Sequence, residues 1–554
     1  MNKGWITRLF LNDVVFFLLC ICLLYGVTYG TILNNFSHVQ TDRYYWGNEE
    51  YPIDMLGNLA HIRAGYSGNW QFYVKLSSTL PEQKSFLKTE YLLLGHLARI
   101  FHLDTLFVFY ASRALFSLFY LSVIYFIIRR VFYKKLERIL ALFFSLLGTA
   151  IYLPGWNHTF VEISGPEGVV WSRATLAPHH YMLGASFILL SLYFLSKVLD
   201  NYKDKNAFVF SVVTGLISSQ VYAPNSLLVF TTFPLILMVK SILEYKEKRH
   251  LRFLPGWIGV LFSYSLIVAL PIVYIPLLRK IQSDTLPIAN VMEGLNPFRL
   301  SWVHYLLAVS FSYLFSWCAL PVILKRKQTL LLFFATWLVM HPVGEFIISD
   351  AIGINRVRYF LTPYYVVFGI LGAIGVTHIA EVFRNLHSRL YQGMLIVMMS
   401  VIITLGIPAY YYSQQKLEVC FCYFNGFDFS YPRQDLIHAI WWLRDHTKEE
   451  DIVLSELFSG HLIPAFAGNK VYTSWWYRLS GSYTFIETFD NIRLFFSGAV
   501  DETWVNDFLT KNDISYVLYS ENERAFNPTL GDLTYSRLEL VFHEGKTLVY
   551  KVRK

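Results

Sequence analysis

The stretch from Val39 to Trp70, VQTDRYYWGNEEYPIDMLGNLAHIRAGYSGNW, gathers Asp42, Glu49, Glu50 and Asp54 with Arg43, His61 and Arg63. Acids this dense beside apolar sequence cost free energy unless they are solvated, paired or used. Asp54 is the best placed for chemistry. It follows Pro52, a residue suited to the first turn of a helix, so its carboxylate would meet the positive end of a helix dipole. An ionised carboxylate held there suits a general base, although the same position suits a helix cap or a solvated face residue. Glu49 and Glu50 read as solvated acids, and Asp42 admits either reading.

Two later stretches add candidates. GWNHTFVEISGPEGVVWSRATLAPHH supplies Glu162, Glu167, Arg173, His179 and His180, with Glu167 in a Gly-Pro-Glu-Gly turn and His179 opening an apolar run. Carboxylates and imidazoles ligate divalent metals, so Asp54, Glu167 and His179 form a candidate set, without diagnostic spacing. SDAIGINRVRYFLTPYYVV places Arg356 and Arg358 at the entrance to another apolar run. A guanidinium donates two parallel hydrogen bonds to a phosphate, and an arginine at a membrane boundary also reaches lipid phosphates without any catalytic role. Arg113 lies within an apolar run, with Asp104 as a partner near its start.

The elements that must position these groups are membrane helices. The chain has 554 residues, 55% hydrophobic and only 16% charged. A soluble domain carries about 25% charged residues, so the composition is that of a polytopic membrane protein. Eleven apolar runs are long enough to consider as spans, near 12–33, 106–128, 138–154, 179–197, 206–222, 225–243, 255–278, 302–324, 328–349, 359–381 and 391–412. The first is too long for a cleavable leader and reads as a retained anchor. With the N-terminus in the cytoplasm, the basic loops at 129–138, 197–205, 240–252, 325–327 and 384–389 all fall on one side. Those loops account for the net charge of +8, so no nucleic-acid partner is implied. The acidic loop 34–105, the loop 155–178 and the tail then lie outside.

Within the first loop, Met55, Leu59, Ile62 and Tyr66 recur at helical spacing, with Asp54, Asn58 and His61 on another face and Gly65 and Gly68 at the end. This reads as a short interfacial helix, and residues 90–100 as a second. The tail alternates helices (434–446 and about 501–511) with strands (451–456, 470–474 and 514–520) and a hairpin over 539–552 turning at Glu544-Gly545. The expected organisation is a transmembrane domain, 1–412, and an extracytoplasmic α/β domain, 413–554. The five cysteines give no disulfide framework, Cys420 and Cys422 being too close to bridge each other well. The chain has no Walker A sequence, dinucleotide fingerprint or nucleophile elbow.

The chain resembles the GT-C superfamily of polytopic membrane glycosyltransferases, which includes protein O-mannosyltransferases, aminoarabinose transferases and oligosaccharyltransferase catalytic subunits. The architecture carries the likeness over nearly the whole chain. It is similar above all to uncharacterised bacterial members, in DMLGNLAHIRAGYSGNW (54–70), YLLLGHLARIFHLD (91–104), Pro166-Glu167, Pro178-His179, Arg356 with Arg358 before Pro363, and HLIPAFAGNKVYTSWW (461–476). The resemblance implies an acid of the first loop as catalytic base or metal ligand, Asp54 first and Asp42 second. It implies Glu167 as the second-loop carboxylate and Arg356 and Arg358 on the carrier phosphate. The implied donor is a polyprenyl-phosphate-linked sugar, and the acceptor a glycan, lipid or protein at the outer face of a bacterial plasma membrane. Trp475, Trp476 and Tyr477 could stack on sugar rings or simply anchor the tail. Competing classes are a transporter, a non-catalytic lipid-binding or assembly protein, and a polysaccharide polymerase or ligase.

Overall fold

The computed structural model describes residues 12–47, 52–71, 75–79, 86, 89–148, 150–151, 178–249, 251, 253–274, 301–352, 355–360, 362–384, 393–394, 396–401, 404, 429, 431–475 and 483–553. The chain divides into a span unit (1–30, 113–276 and 296–415) and a loop–tail unit (31–112, 277–295 and 416–554).

The apolar runs form helices α1 (Asp13–Ser37), α4 (Thr105–Val131), α5 (Lys135–Leu147), α6 (His179–Asp200), α7 (Lys205–Val221), α8 (Ala223–Lys248), α9 (Leu254–Val268), α10 (Trp302–Trp317), α11 (Leu320–Arg326), α12 (Thr329–Val343) and α13 (Tyr364–Arg384). The first loop contributes α2 (Pro52–Tyr66) and α3 (Thr89–Ile100). Among the described residues, six helices are long and apolar enough to cross a membrane, α12 among them because its helical run continues to Ala351, or seven if α10 and α11, bent by 52°, form one span. The remaining expected spans are short here or lie largely outside the described residues. α5, α7 and α9 have 13, 17 and 15 residues. At about 1.5 Å per residue even the longest of these falls short of a hydrocarbon core of about 30 Å. The protein is a multi-pass membrane protein.

Lipid offers no hydrophobic drive between helices, so close backbone approach and buried hydroxyls hold the span unit. Ser218 Oγ donates to the Gly184 carbonyl at 2.8 Å, and Ser191 Oγ to the Ser211 carbonyl at 2.8 Å, joining α6 to α7. α13 packs on α10 so tightly that a Cβ on Gly375 would lie 1.9 Å from the Phe315 carbonyl oxygen. The basic loops meet at one end of this unit. Arg326 pairs with Glu137 at 3.5 Å, Lys327 with Glu247 at 2.6 Å and Lys240 with Asp200 at 3.1 Å. Gln328 donates to the Arg130 carbonyl at 3.4 Å. Four of the five basic loops are thus joined, as the charge pattern requires.

In the loop–tail unit, the tail supplies α14 (Gln434–His446), β1 (Ile452–Leu454), α15 (Ser459–Phe466), β2 (Lys470–Val471), α16 (Tyr483–Ser497), α17 (Glu502–Lys511), β3 (Ile514–Tyr519), β4 (Leu538–Glu544) and β5 (Thr547–Val552). The sheet order is β2-β1-β3-β5-β4, parallel among the first three strands and antiparallel at β3–β5 and β5–β4. The first loop folds with this tail. Tyr44 N–H donates to the Pro432 carbonyl at 2.8 Å, Gln434 N–H to the Asp42 carbonyl at 2.9 Å, and Trp46 Nε1 to the Phe429 carbonyl at 2.8 Å. Further on, Val471 N–H donates to the Lys75 carbonyl at 3.1 Å and Ser78 N–H to the Tyr472 carbonyl at 3.2 Å, so residues 75–78 line the free edge at β2.

α2 begins at Pro52 and ends at Tyr66, but it is not a helix lying in the interface. Asn58 and His61 on its polar side are buried along with Met55, Leu59 and Ile62. α3 covers one flank and α15 another. The interfacial reading does suit α3, whose Leu93, Leu97 and Ile100 form an exposed apolar stripe at helical spacing. The α2–α3 crossing depends on two glycines. A Cβ on Gly95 would lie 2.1 Å from the Ile62 carbonyl oxygen, and one on Gly65 2.2 Å from that of Leu92. Gly95→Ala is expected to force the helices apart and destabilise this unit by about 1–3 kcal/mol. Thermal melting in detergent checks it against Gly531→Ala, where a Cβ meets nothing within 4 Å and the melting temperature should not move.

Candidate active site

Asp54 sits in the first turn of α2, half-buried. The N-terminal turn of a helix favours a carboxylate over the neutral acid. What fixes this turn comes from the tail. His461, fully buried in α15, hydrogen-bonds through Nε2 to the carbonyl of Ile53 at 2.8 Å, one residue before Asp54. A carbonyl accepts, so Nε2 carries the proton and the ring is a neutral donor. Burial pushes the imidazole down to about 4, with the bond to Ile53 as a smaller opposing effect. Aromatic rings enclose it. Phe429 lies 6.0 Å from His461, 4.3 Å from Phe458 and 6.2 Å from Trp475, centroid to centroid. Trp475 is buried in this cluster, a core position rather than an open stacking platform; Trp476 and Tyr477 lie outside the described residues.

His461 belongs to a stretch the sequence reading singled out, yet it drew no role there. The available signal was an imidazole in the apolar run HLIPAF, which only the fold connects to Asp54. Later along α2, Arg63 is largely buried, stacked 5.1 Å over Tyr66. Burial lowers its pKa, opposed chiefly by the charge of Glu449. Glu449 in turn pairs with buried Lys75, which donates to the Gly468 carbonyl at 2.8 Å. In the same tail, Glu456 accepts from Phe458 N–H at 2.8 Å and supports the start of α15. Burial raises its pKa, and the neighbouring Glu523 raises it further.

The other candidates fall into distinct settings. Asp42 is exposed and pairs with Arg433 at 3.4 Å, where the first loop is laced to the tail. Arg356, in the span unit, is gripped by Asp350 through two bonds, Nε to Oδ1 at 3.1 Å and Nη2 to Oδ2 at 2.6 Å. That pairing raises its pKa, against a smaller cost of burial. Arg358 is half-buried, and its carbonyl accepts from Tyr222 Oη at 3.0 Å. His179 is fully buried at the start of α6, edge-on to Phe116 at 5.8 Å. Asp104 caps α4, accepting from Leu106 and Phe107 N–H at 2.9 and 3.0 Å. Glu49, Glu50, Glu162, Glu167 and Arg173 lie outside the described residues. Among the described residues, no three His, Cys, Asp or Glu side chains come together as a metal site.

The neutral state of His461 gives the loop–tail unit a pH dependence. An unfolded histidine titrates near 6.5, and this one near 4, so its contribution is intact above about pH 6.5 and is lost as pH falls toward 4. The shift corresponds to about 3 kcal/mol at full effect. Glu456 has the opposite sign, its contribution being lost as pH rises above the ordinary carboxyl range. Hydrogen exchange of α2 at pH 7 and pH 5 in wild type and His461→Gln isolates the histidine. The acid-induced loss of protection should be clearly smaller in the variant.

No protein-family model matches the sequence, and no curated protein matches it. Solved structures do match the fold. The oligosaccharyltransferase of Archaeoglobus fulgidus, tethered to an acceptor peptide, superposes with a TM-score of 0.55 at 13% identity, covering 94% of this chain and 69% of that one. Its apo form gives 0.56 at 14%, covering 94% and 70%. Its complex with zinc and sulfate gives 0.52 at 15%, covering 91% and 67%. The chain therefore has the fold of the GT-C membrane glycosyltransferases.

Proposed function

We propose that the protein is a glycosyltransferase that moves a sugar from a polyprenyl-phosphate carrier to an acceptor on the outer face of a bacterial plasma membrane. The observation that carries this reading is a fold shared over 94% of the chain with an oligosaccharyltransferase solved with an acceptor peptide. The half-buried acid in the first turn of α2 supplies the chemistry that such a reaction needs.

In the proposed reaction Asp54 takes the proton from the acceptor as the acceptor atom attacks the anomeric carbon. The bond from that carbon to the carrier phosphate breaks on the opposite side, its electron pair passing to the phosphate, so the centre inverts in one displacement. Arg356 and Arg358 stabilise the charge that develops on the leaving phosphate. The grip of Asp350 sets the direction of the Arg356 guanidinium. His461 acts through the backbone, fixing the turn that presents Asp54, and is a positioning residue. In this reading the N-terminus lies in the cytoplasm and the C-terminal domain, 413–554, outside. Asp42, held by Arg433 and by the Gln434 backbone, serves architecture in this scheme.

Purified protein offered radiolabelled polyprenyl-phosphate sugars and membrane extract tests the reading. Asp54→Asn should lower transfer by about a hundredfold or more. Asp42→Asn should stay within about threefold of wild type, as befits an exposed ion pair. Arg358→Ala should lose transfer with the fold intact by thermal melting. Equal transfer by Asp54→Asn removes the base assignment, and absence of sugar release from every carrier removes the function.

A further inference from the structure

A cavity of about 160 Å³ opens at the end of the span unit where the basic loops meet. It is far larger than the roughly 15 Å³ that one water needs. Its wall carries Glu244, Glu247 and Lys248 from the last turns of α8, Lys327 at the end of α11, and Trp257 of α9. Glu244 decides what the cavity can hold. It is only 7% exposed, and neither carboxylate oxygen has a hydrogen-bond partner. A buried acid in that state calls for a donor.

The neighbouring ammonium groups already have partners. Lys240 Nζ, one turn before Glu244, donates to Asp200 at 3.1 Å and to Thr329 at 2.6 Å, and rests 4.9 Å above the Trp257 ring. Lys327 pairs with Glu247 at 2.6 Å, and Lys248 lies 4.6 Å above the Phe253 ring. Lys248 and Lys327 nevertheless stay exposed to solvent. The cavity is therefore polarised, with an enclosed acid inside and two accessible cations beside it. Ile242 and Tyr245 on α8 and Leu324 on α11 are exposed and apolar, a surface suited to acyl chains.

From this arrangement we propose that the cavity binds a zwitterionic aminoalkyl phosphate, the headgroup of an ethanolamine phospholipid. Its primary ammonium donates to Glu244, and its phosphate accepts from Lys248 and Lys327. A trimethylammonium headgroup has no N–H to give Glu244, and a glycerol headgroup brings no cation. The site is separate from the proposed sugar transfer and does not rest on it.

Native mass spectrometry of the full chain from detergent tests the proposal with four probes: dihexanoyl-phosphatidylethanolamine, its choline and glycerol counterparts, and free phosphoethanolamine. The ethanolamine lipid should give one saturable adduct, at least about tenfold tighter than the choline or glycerol lipid. Glu244→Gln removes no intramolecular hydrogen bond and should reduce the ethanolamine lipid to the level of the choline lipid. Competition by free phosphoethanolamine would identify a soluble aminoalkyl phosphate as ligand; binding of the lipid without such competition identifies the bilayer as its source. The wild-type headgroup series needs no variant to fold. Equal binding of ethanolamine and choline lipids, or unchanged binding in Glu244→Gln, overturns the proposal.

Discussion

The hydrogen bond from His461 to the Ile53 carbonyl joins residues 408 positions apart, and the loop–tail unit depends on closures of that length. Closing a flexible loop that long costs about 5 kcal/mol in chain entropy. The cost is incurred once, however, and every further contact between the two segments then adds to stability. The ladder from Asp42 to Trp46, the pairing of residues 75–78 beside β2, and Lys75 on the Gly468 carbonyl all exploit the same closure. The candidate base is thus presented by a helix that α15, far along the chain, covers on one flank.

Much of this was legible in the sequence because local chemistry wrote it. Pro52 marks the start of α2, and 434–446 reads as a helix and is one. The hairpin turns at Glu544-Gly545, with Glu544 opposite Thr547. The shared location of four basic loops follows from charge alone. What failed was long-range. The spacing of Met55, Leu59 and Ile62 suggested an amphipathic helix, and nothing local reveals that α15 and α3 cover its other faces. α15 itself was missed because Pro464 lies inside it and reads as a helix breaker. The role of Asp42 was ambiguous for the same reason, since Arg433 is distant in sequence.

Electrostatics sorts the ionisable groups by setting. Asp42 and Arg433 are partly exposed, where an ion pair contributes little beyond register. His461 and Glu456 are enclosed, and burial holds both toward their neutral forms. Asp54 falls between these limits in burial, half-buried at a helix start. Asp350 plays an analogous part in the span unit, orienting Arg356 while sustaining its charge.

The lacing of the first loop to the tail also imposes an order on biogenesis. At about 5–20 residues per second, ribosomes need roughly 20–80 s to travel from Ile53 to His461. Throughout that interval α2 lacks α15, which covers one of its flanks. The packing around α2 is therefore incomplete until α15 has been made. A nascent chain that stops before α15 leaves its candidate base on a helix with one flank uncovered.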